Sequence, residues 1–253
     1  MRRDITINAL FYNLTTGQVE DFTTFGLSDL KNKLVRTPLP PRQTFLDDPL
    51  RILRVVRFAT RFDYQIIPQV LEACKCEDIK DAFLRKISRE RVGIEIDKML
   101  KGPDPIRAMI LLLDIGFYPL VFKAPPNVKD VSVAQWSLAI TMGLMLKKLL
   151  ASPSVLDHTR ILSSPLTQED IRMIHLAVCV VHYGNQQTTM KNKMKPQSVV
   201  KFVICDSIKL SNIDGETCHV LINNIQRISS FVLQHSEQKK DRLTTGKLIL
   251  CFQ

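Results

Sequence analysis

From Asp47 onward this sequence is punctuated by helix starts and stops, which leaves little room for a core built on sheets. Asp47 and Asp48 suit a helix N-terminus, Pro49 fits its first turn, and Leu50 to Phe62 follow without a breaker. Ser88 opens a second helix that Gly102-Pro103 stops, and a third begins near Asp104-Pro105 and ends at Gly116. Val131 to Leu150, Gln168 to Val181, Lys195 to Leu210 and Gly215 to Gln234 read as further helices, joined by short polar or Pro-containing links. Nine Gly and 13 Pro in 253 residues are too few for a repeat-turn β-protein. The expected fold is mainly α.

The first residues follow another period. Ile5, Ile7, Ala9 and Phe11 alternate with Thr6, Asn8 and Leu10, as in a strand with one buried face; Thr15, Thr16 and Gly17 supply a turn, and Gln18 to Phe22 reads as a returning strand. A two-stranded hairpin is marginal alone in water, so either later segments cover it or its sheet lies upstream of Met1. Met1-Arg2-Arg3-Asp4 has no apolar signal region, so an intracellular protein with reduced thiols is expected, and six scattered cysteines show no metal-ligand spacing. Val131 to Leu150 is the most apolar stretch, yet Gln135, Trp136 and the Lys147-Lys148 pair mark it as a core helix rather than a membrane span. Trp136, Met142 and Met145 are assigned to the core, and the five histidines to structural positions.

The net charge of +10 is spread along the chain, and residues 1 to 101 alone carry 18 basic against 14 acidic side chains. Such an excess suits a polyanionic partner and equally suits ordinary surface solubility. More specific is the helix after Asp48. At 100° per residue Arg51, Arg54, Arg57 and Arg61 share a sector of about 120°, opposite Ile52, Val55, Val56 and Ala59. A charge stripe of this kind is usually a solvated face.

The text around the stripe says more. The chain runs Arg2-Arg3-Asp4-Ile5-Thr6-Ile7-Asn8-Ala9, then Val19-Glu20-Asp21-Phe22, then Gly26-Leu27-Ser28-Asp29-Leu30, then Asp47-Asp48-Pro49-Leu50-Arg51, then Arg91-Val92-Gly93-Ile94-Glu95. It resembles the class II tRNA nucleotidyltransferases, the CCA-adding enzymes. Residues 2–9 match that family's motif B, Gly26 to Leu30 its motif C, Asp47 to Phe58 its motif D, and Arg91 with Glu95 its motif E, in order. Val199 to Leu210 resembles a segment of the eukaryotic members.

The resemblance implies a domain order: residues 1–37 the end of a nucleotidyltransferase head, 38–120 a helical neck that reads the nucleotide, and 121–253 a helical body and tail that bind tRNA. It implies template-independent transfer of CMP and AMP from CTP and ATP to tRNA 3′ ends, with Mg²⁺. Asp48 and Arg51 would face the base, Arg3, Arg54 and Arg57 would contact the nucleotide, and Asp4 would accept from the ribose 2′-hydroxyl. Arg2, Asp29, Arg91 and Glu95 would support that site, Asp29 as a turn or strut. Arg91 and Glu95, four apart on one helix face, could also pair with each other. Lys191, Lys193, Lys195 and Lys201 are candidates for RNA phosphates or a solvated face. No membrane contact and no stable protein partner are implied.

The family's Gly-Gly-x-Val-Arg-Asp segment and its metal-binding Asp-x-Asp pair are absent from the 253 residues. Glu95-Ile96-Asp97 comes nearest to that pair, on a helix where alternate residues point about 200° apart. The chain is therefore expected to be a fragment, inactive alone. Two other readings stay open: a noncatalytic tRNA-binding fragment, and a poly(A) polymerase-like enzyme, against which the acidic-arginine motif preceded by Thr44-Phe45 argues.

Overall fold

A computed structural model of the chain describes residues 3–128, 131–151, 166–189 and 196–225. The fold is mainly helical. An N-terminal hairpin pairs β1 (Leu10–Asn13) with β2 (Gln18–Asp21) antiparallel, Leu10 opposite Asp21 and Asn13 opposite Gln18. Its turn is made locally, because the Asn13 Oδ1 accepts the N–H groups of Thr15 and Thr16 and Gly17 takes φ +67°.

The strand begins later than its alternation predicts. Thr6–Ala9 forms a 3₁₀ turn, in which Ile5, Thr6 and Ala9 are buried while Phe11 is 46% exposed. Tertiary hydrogen bonds override the period: the Thr6 N–H goes to the Arg36 carbonyl (2.9 Å) and its hydroxyl to the Asp29 carboxylate (2.7 Å). Asp29 lies within the short α1 (Gly26–Asn32) and Arg36 directly follows β3 (Leu34–Val35), which pairs in parallel with β4 (Gln65–Ile66).

The helical body begins with α2 (Pro41–Asp47) and α3 (Arg51–Phe62). Asp47 thus closes one helix instead of opening the next, and Asp48 is the extended residue between them. Its Oδ1 still accepts the Leu50 N–H at 3.2 Å, so it braces the entry to α3. Ile52, Leu53, Val55, Val56 and Ala59 turn into the core. Two helices not anticipated follow, α4 (Pro68–Cys74) and α5 (Glu77–Lys86). Then come α6 (Arg89–Leu100), capped by the Ser88 hydroxyl, α7 (Pro105–Asp114), capped by Asp104, and α8 (Tyr118–Val121). α6 and α7 both pack on α3.

α9 (Val133–Leu150) and α10 (Gln168–Val180) pack together, each opened by a capping box. Trp136 is partly buried, but Met145 is 65% exposed and not a core residue. The helix expected over Lys195 to Leu210 is much shorter. Gln197–Ser198 forms β6 against β5 (Gln187–Thr188), and α11 (Val199–Phe202) passes into a π-helical turn over Val203–Ser207. The chain leaves this turn at Lys209, φ +53°, where the Ile208 carbonyl lies against α6. The last described helix, α12, spans residues 212–225 and starts three residues before the expected Gly215; the remainder of that expected helix lies outside the described residues. Ser211 and Asp214 cap it reciprocally. One hydrophobic cluster from Ile5 to Ile222 links these elements.

Candidate functional site

The arginine stripe of α3 is not a solvated face. Arg51 and Arg57 are buried, Arg54 is half-buried, and only Arg61 lies open, its guanidinium over the Phe62 ring. Two carboxylates from distant segments organise the other three. Asp4 accepts from Arg54 Nε at 2.7 Å and lies 3.6 Å from Arg51 Nε. Glu95, on α6, accepts from Arg57 Nε at 2.6 Å and stands 3.6 Å from Arg54 and 3.7 Å from the Lys98 ammonium. Four cations meet two anions here, so the cluster keeps a positive excess. Buried guanidinium groups need such partners, since removing a charge from water without one costs several kcal/mol.

Asp48 and Arg51 stand side by side in the backbone, where the Arg51 N–H donates to the Asp48 carbonyl at 3.0 Å. Their side chains take different partners. The Asp48 carboxylate, a third exposed, receives Arg91 at 2.9 Å, whereas Arg51 also donates to the Thr44 carbonyl at 3.3 Å. Arg91 and Glu95 therefore do not simply pair with one another. Each reaches α3 or its entry from a successive turn of α6, Arg91 at Asp48 and Glu95 at Arg54 and Arg57.

Asp29 is a buried strut, as its motif suggests. It takes the Thr6 hydroxyl and both of its oxygens receive Arg36 Nε at 3.1 Å, which fixes the segment carrying Asp4. Asp21 starts α1 by accepting the Leu27 N–H at 3.1 Å, and a hydrogen bond from the Thr23 hydroxyl, opposed by slight desolvation, holds its carboxyl below the ordinary 3.8. Arg3 is exposed, 6.0 Å from the centroid of the Phe11 ring. Arg2, Lys191, Lys193 and Lys195 lie outside the described residues. Lys201 pairs with Glu216 at 2.6 Å in a cleft of about 560 Å³ lined by Gln187, Gln197, Asn212 and His219, none of them a member of the α3 cluster. Arg36 and Lys98 complete the arrangement without any periodic or motif signal that marks them, and Thr6 and Thr44 join it in or beside motifs that had assigned them no role.

Among the described residues no three His, Cys, Asp or Glu side chains cluster to hold a metal ion. Asp4 and Glu95 are each committed to guanidinium groups, so this donor set does not fit Mg²⁺.

Residues 1–36 match the family model described as "Poly A polymerase head domain", and residues 63–130 the one described as "Probable RNA and SrmB- binding site of polymerase A". The chain is 57% identical over 112 residues to the mitochondrial CCA tRNA nucleotidyltransferase of Saccharomyces cerevisiae, covering 44% of this chain and 20% of that protein. It is 32% identical over 259 residues to the tRNA nucleotidyltransferase cca1 of Schizosaccharomyces pombe, covering 98% of this chain and 49% of that protein. The chain is similar to tRNA nucleotidyltransferases over most of its length. It spans from a fifth to about half of the length of these curated relatives. The fold is shared with a CCA-adding enzyme solved with ATP (TM-score 0.62, 21% identity, 94% of this chain and 48% of that one) and with the Thermotoga maritima CCA-adding enzyme complexed with tRNA (TM-score 0.62, 21% identity, 94% and 50%). Among the described residues, no helix is long and apolar enough to cross a membrane.

Proposed function

We propose that the protein to which these residues belong adds C, C and A to tRNA 3′ ends from CTP and ATP without a nucleic-acid template, inside the cell. Residues 38–120 serve as the part that reads the nucleotide, residues 1–37 as the edge of the head, and 121–253 as a tRNA-binding body and tail. The observation that carries this reading is Asp48, a partly exposed carboxylate braced by the Leu50 N–H on one oxygen and Arg91 on the other, next in the chain to the start of an arginine-bearing helix.

A carboxylate oxygen has two lone pairs, so Asp48 keeps acceptor capacity after both contacts. Cytosine and adenine share an exocyclic amine that such a group accepts from, and Arg51 donates to a ring nitrogen or carbonyl. Uracil and guanine present a carbonyl where that amine would be. By the scale of groove readout, one good bidentate contact discriminates by about 1–3 kcal/mol. Arg3, Arg54 and Arg57 supply forked donors and positive charge suited to triphosphate oxygens. Asp4, held by Arg51 and Arg54, lies where it orients them and accepts from a ribose hydroxyl. Mg²⁺ supplies charge neutralisation when bound in a complete enzyme, and no step is assigned to it through the residues described here.

The test joins this sequence to an Asp-x-Asp head strand and offers the protein tRNA ending before C74 with labelled CTP, then ATP. Ordered incorporation of both supports the reading; failure to incorporate CMP overturns it. The description of the head-domain match favours one second reading, a poly(A) polymerase-like enzyme, which would extend RNA from ATP alone.

A further inference from the structure

α6 is a strut with two working faces. At 100° per residue Arg91 and Glu95 lie 40° apart on one side, while Arg89, Gly93 and Asp97 lie on the other. The first face holds Asp48, Arg54 and Arg57. The second is locked onto segments 31 to 118 residues away. Gly93 meets the turn after α11 so closely that an added Cβ would sit 1.9 Å from the Ile208 carbonyl oxygen. Arg89 donates to the backbone carbonyls of Ser207, Leu120 and Val121. Arg172 of α10 is only 4% exposed; it gives its Nε to Asp97 at 2.6 Å and holds Glu169 at 2.7 Å and Asp214 of α12 at 2.8 Å. A second charge, Lys101, reaches Asp97 at 2.8 Å.

We propose that Arg172, Asp214 and the turn through Ile208 are positioning elements for the nucleotide-reading site, acting on Asp48 through Arg91 and on Arg57 through Glu95. The inference rests on the reading of Asp48 given above. None of these three elements touches Asp48 or α3 in the contacts described, and each bears on the side of α6 that faces away from them. Displacement of α6 along its axis or about it moves Arg91 and Glu95 together, so the clamp sets two contacts of the site at once.

The experiment uses the full 253-residue chain as wild type, Arg172→Gln, Arg172→Lys and Asp214→Asn, each checked for native helical content. Amide hydrogen exchange is followed in the peptide covering residues 46–54, with Glu77–Lys86 as the internal control, and affinities for CTP and UTP are compared. Arg172→Gln and Asp214→Asn should speed exchange over 46–54 about tenfold with the control unchanged, and narrow the CTP-to-UTP affinity ratio about three- to tenfold. Arg172→Lys, which keeps the charge, should restore part of both. If Arg172→Gln does not fold, the folded Asp214→Asn variant decides. A folded variant whose exchange over 46–54 matches wild type overturns the positioning role. Equal affinity of the wild type for CTP and UTP instead removes the base-reading role of Asp48, and the exchange measurement still decides the clamp.

Discussion

The two arginine clusters on either side of α6 are built to opposite ratios. Around α3, Arg51, Arg54, Arg57 and Lys98 share Asp4 and Glu95, an excess of two positive charges. Around α10, Arg172 and Lys101 share Asp97, Glu169 and Asp214, an excess of one negative charge. Among the described contacts the first arrangement keeps a net positive charge, which suits an anion under the proposed function. The second surrounds its buried guanidinium with three carboxylates and holds helices together. Arginine burial alone therefore says little about role; the ratio of partners distinguishes a binding site from a fastener.

Glu95→Ala should have the largest effect, because it strands the buried Arg57 without its closest acceptor. A loss of about 3–5 kcal/mol is expected, read as a lower denaturant midpoint. A loss below about 1 kcal/mol would mean that Arg57 finds water, and the cluster is then more open than its burial indicates. Asp48→Ala tests the positive cluster as a reader: in the complete enzyme, selection against UTP should fall by about 1–3 kcal/mol with little change in melting temperature. Unchanged selectivity removes Asp48 from that role.

Acid distinguishes the second cluster. Burial pushes Asp214 up, but hydrogen bonds from Arg172 and Ser211 outweigh it and hold the carboxyl below its ordinary 3.8. A depressed carboxyl contributes stability that is present above the unfolded value and lost as pH falls through the folded one. Asp214→Asn should therefore flatten the loss of stability below about pH 4 while leaving the shape of the profile near neutrality alone. The smallest effect belongs to Lys201→Ala. Its exposed partner Glu216 makes this a surface pair worth about 0–1 kcal/mol, and with Asp206 and Glu216 beside it, tRNA affinity should keep nearly the same salt dependence. A salt slope lower by about one would restore Lys201 as a phosphate contact.

What the sequence makes legible here is whatever is local. Ser88 and Asp104 announce α6 and α7 because a cap and its helix are neighbours in the chain. α4 and α5 carry similar local marks, Pro68 at one start and Glu77-Asp78 to Arg85-Lys86 along the other. Ile5 to Ala9 misled because a period of two describes a strand only where a sheet receives it, and here Arg36 and Asp29 claim Thr6 first. The members of the site were recognisable as contiguous motifs. Their pairing was not: Arg54 meets Asp4 across 50 positions, Asp48 meets Arg91 across 43, and Arg57 meets Glu95 across 38. No spacing rule reaches that far; packing of α6 on α3 decides the last two, and the anchoring of the N-terminal segment the first.

The strut made by Asp29 has a consequence for the order in which the molecule comes apart. Four residue pairs make up the hairpin ladder, and Tyr12, Leu14 and Phe22 stand largely in water. So small a ladder cannot set its own direction; it is held to the body through the segment before it, by the Asp29 carboxylate on Thr6 and Arg36, the Thr6 N–H on the Arg36 carbonyl, buried Ile5 and the Asp4–Arg54 pair. On warming, the first two dozen residues should swing loose as a unit while the helices behind them persist, and the arginines of α3 would lose Asp4 before they lose Glu95.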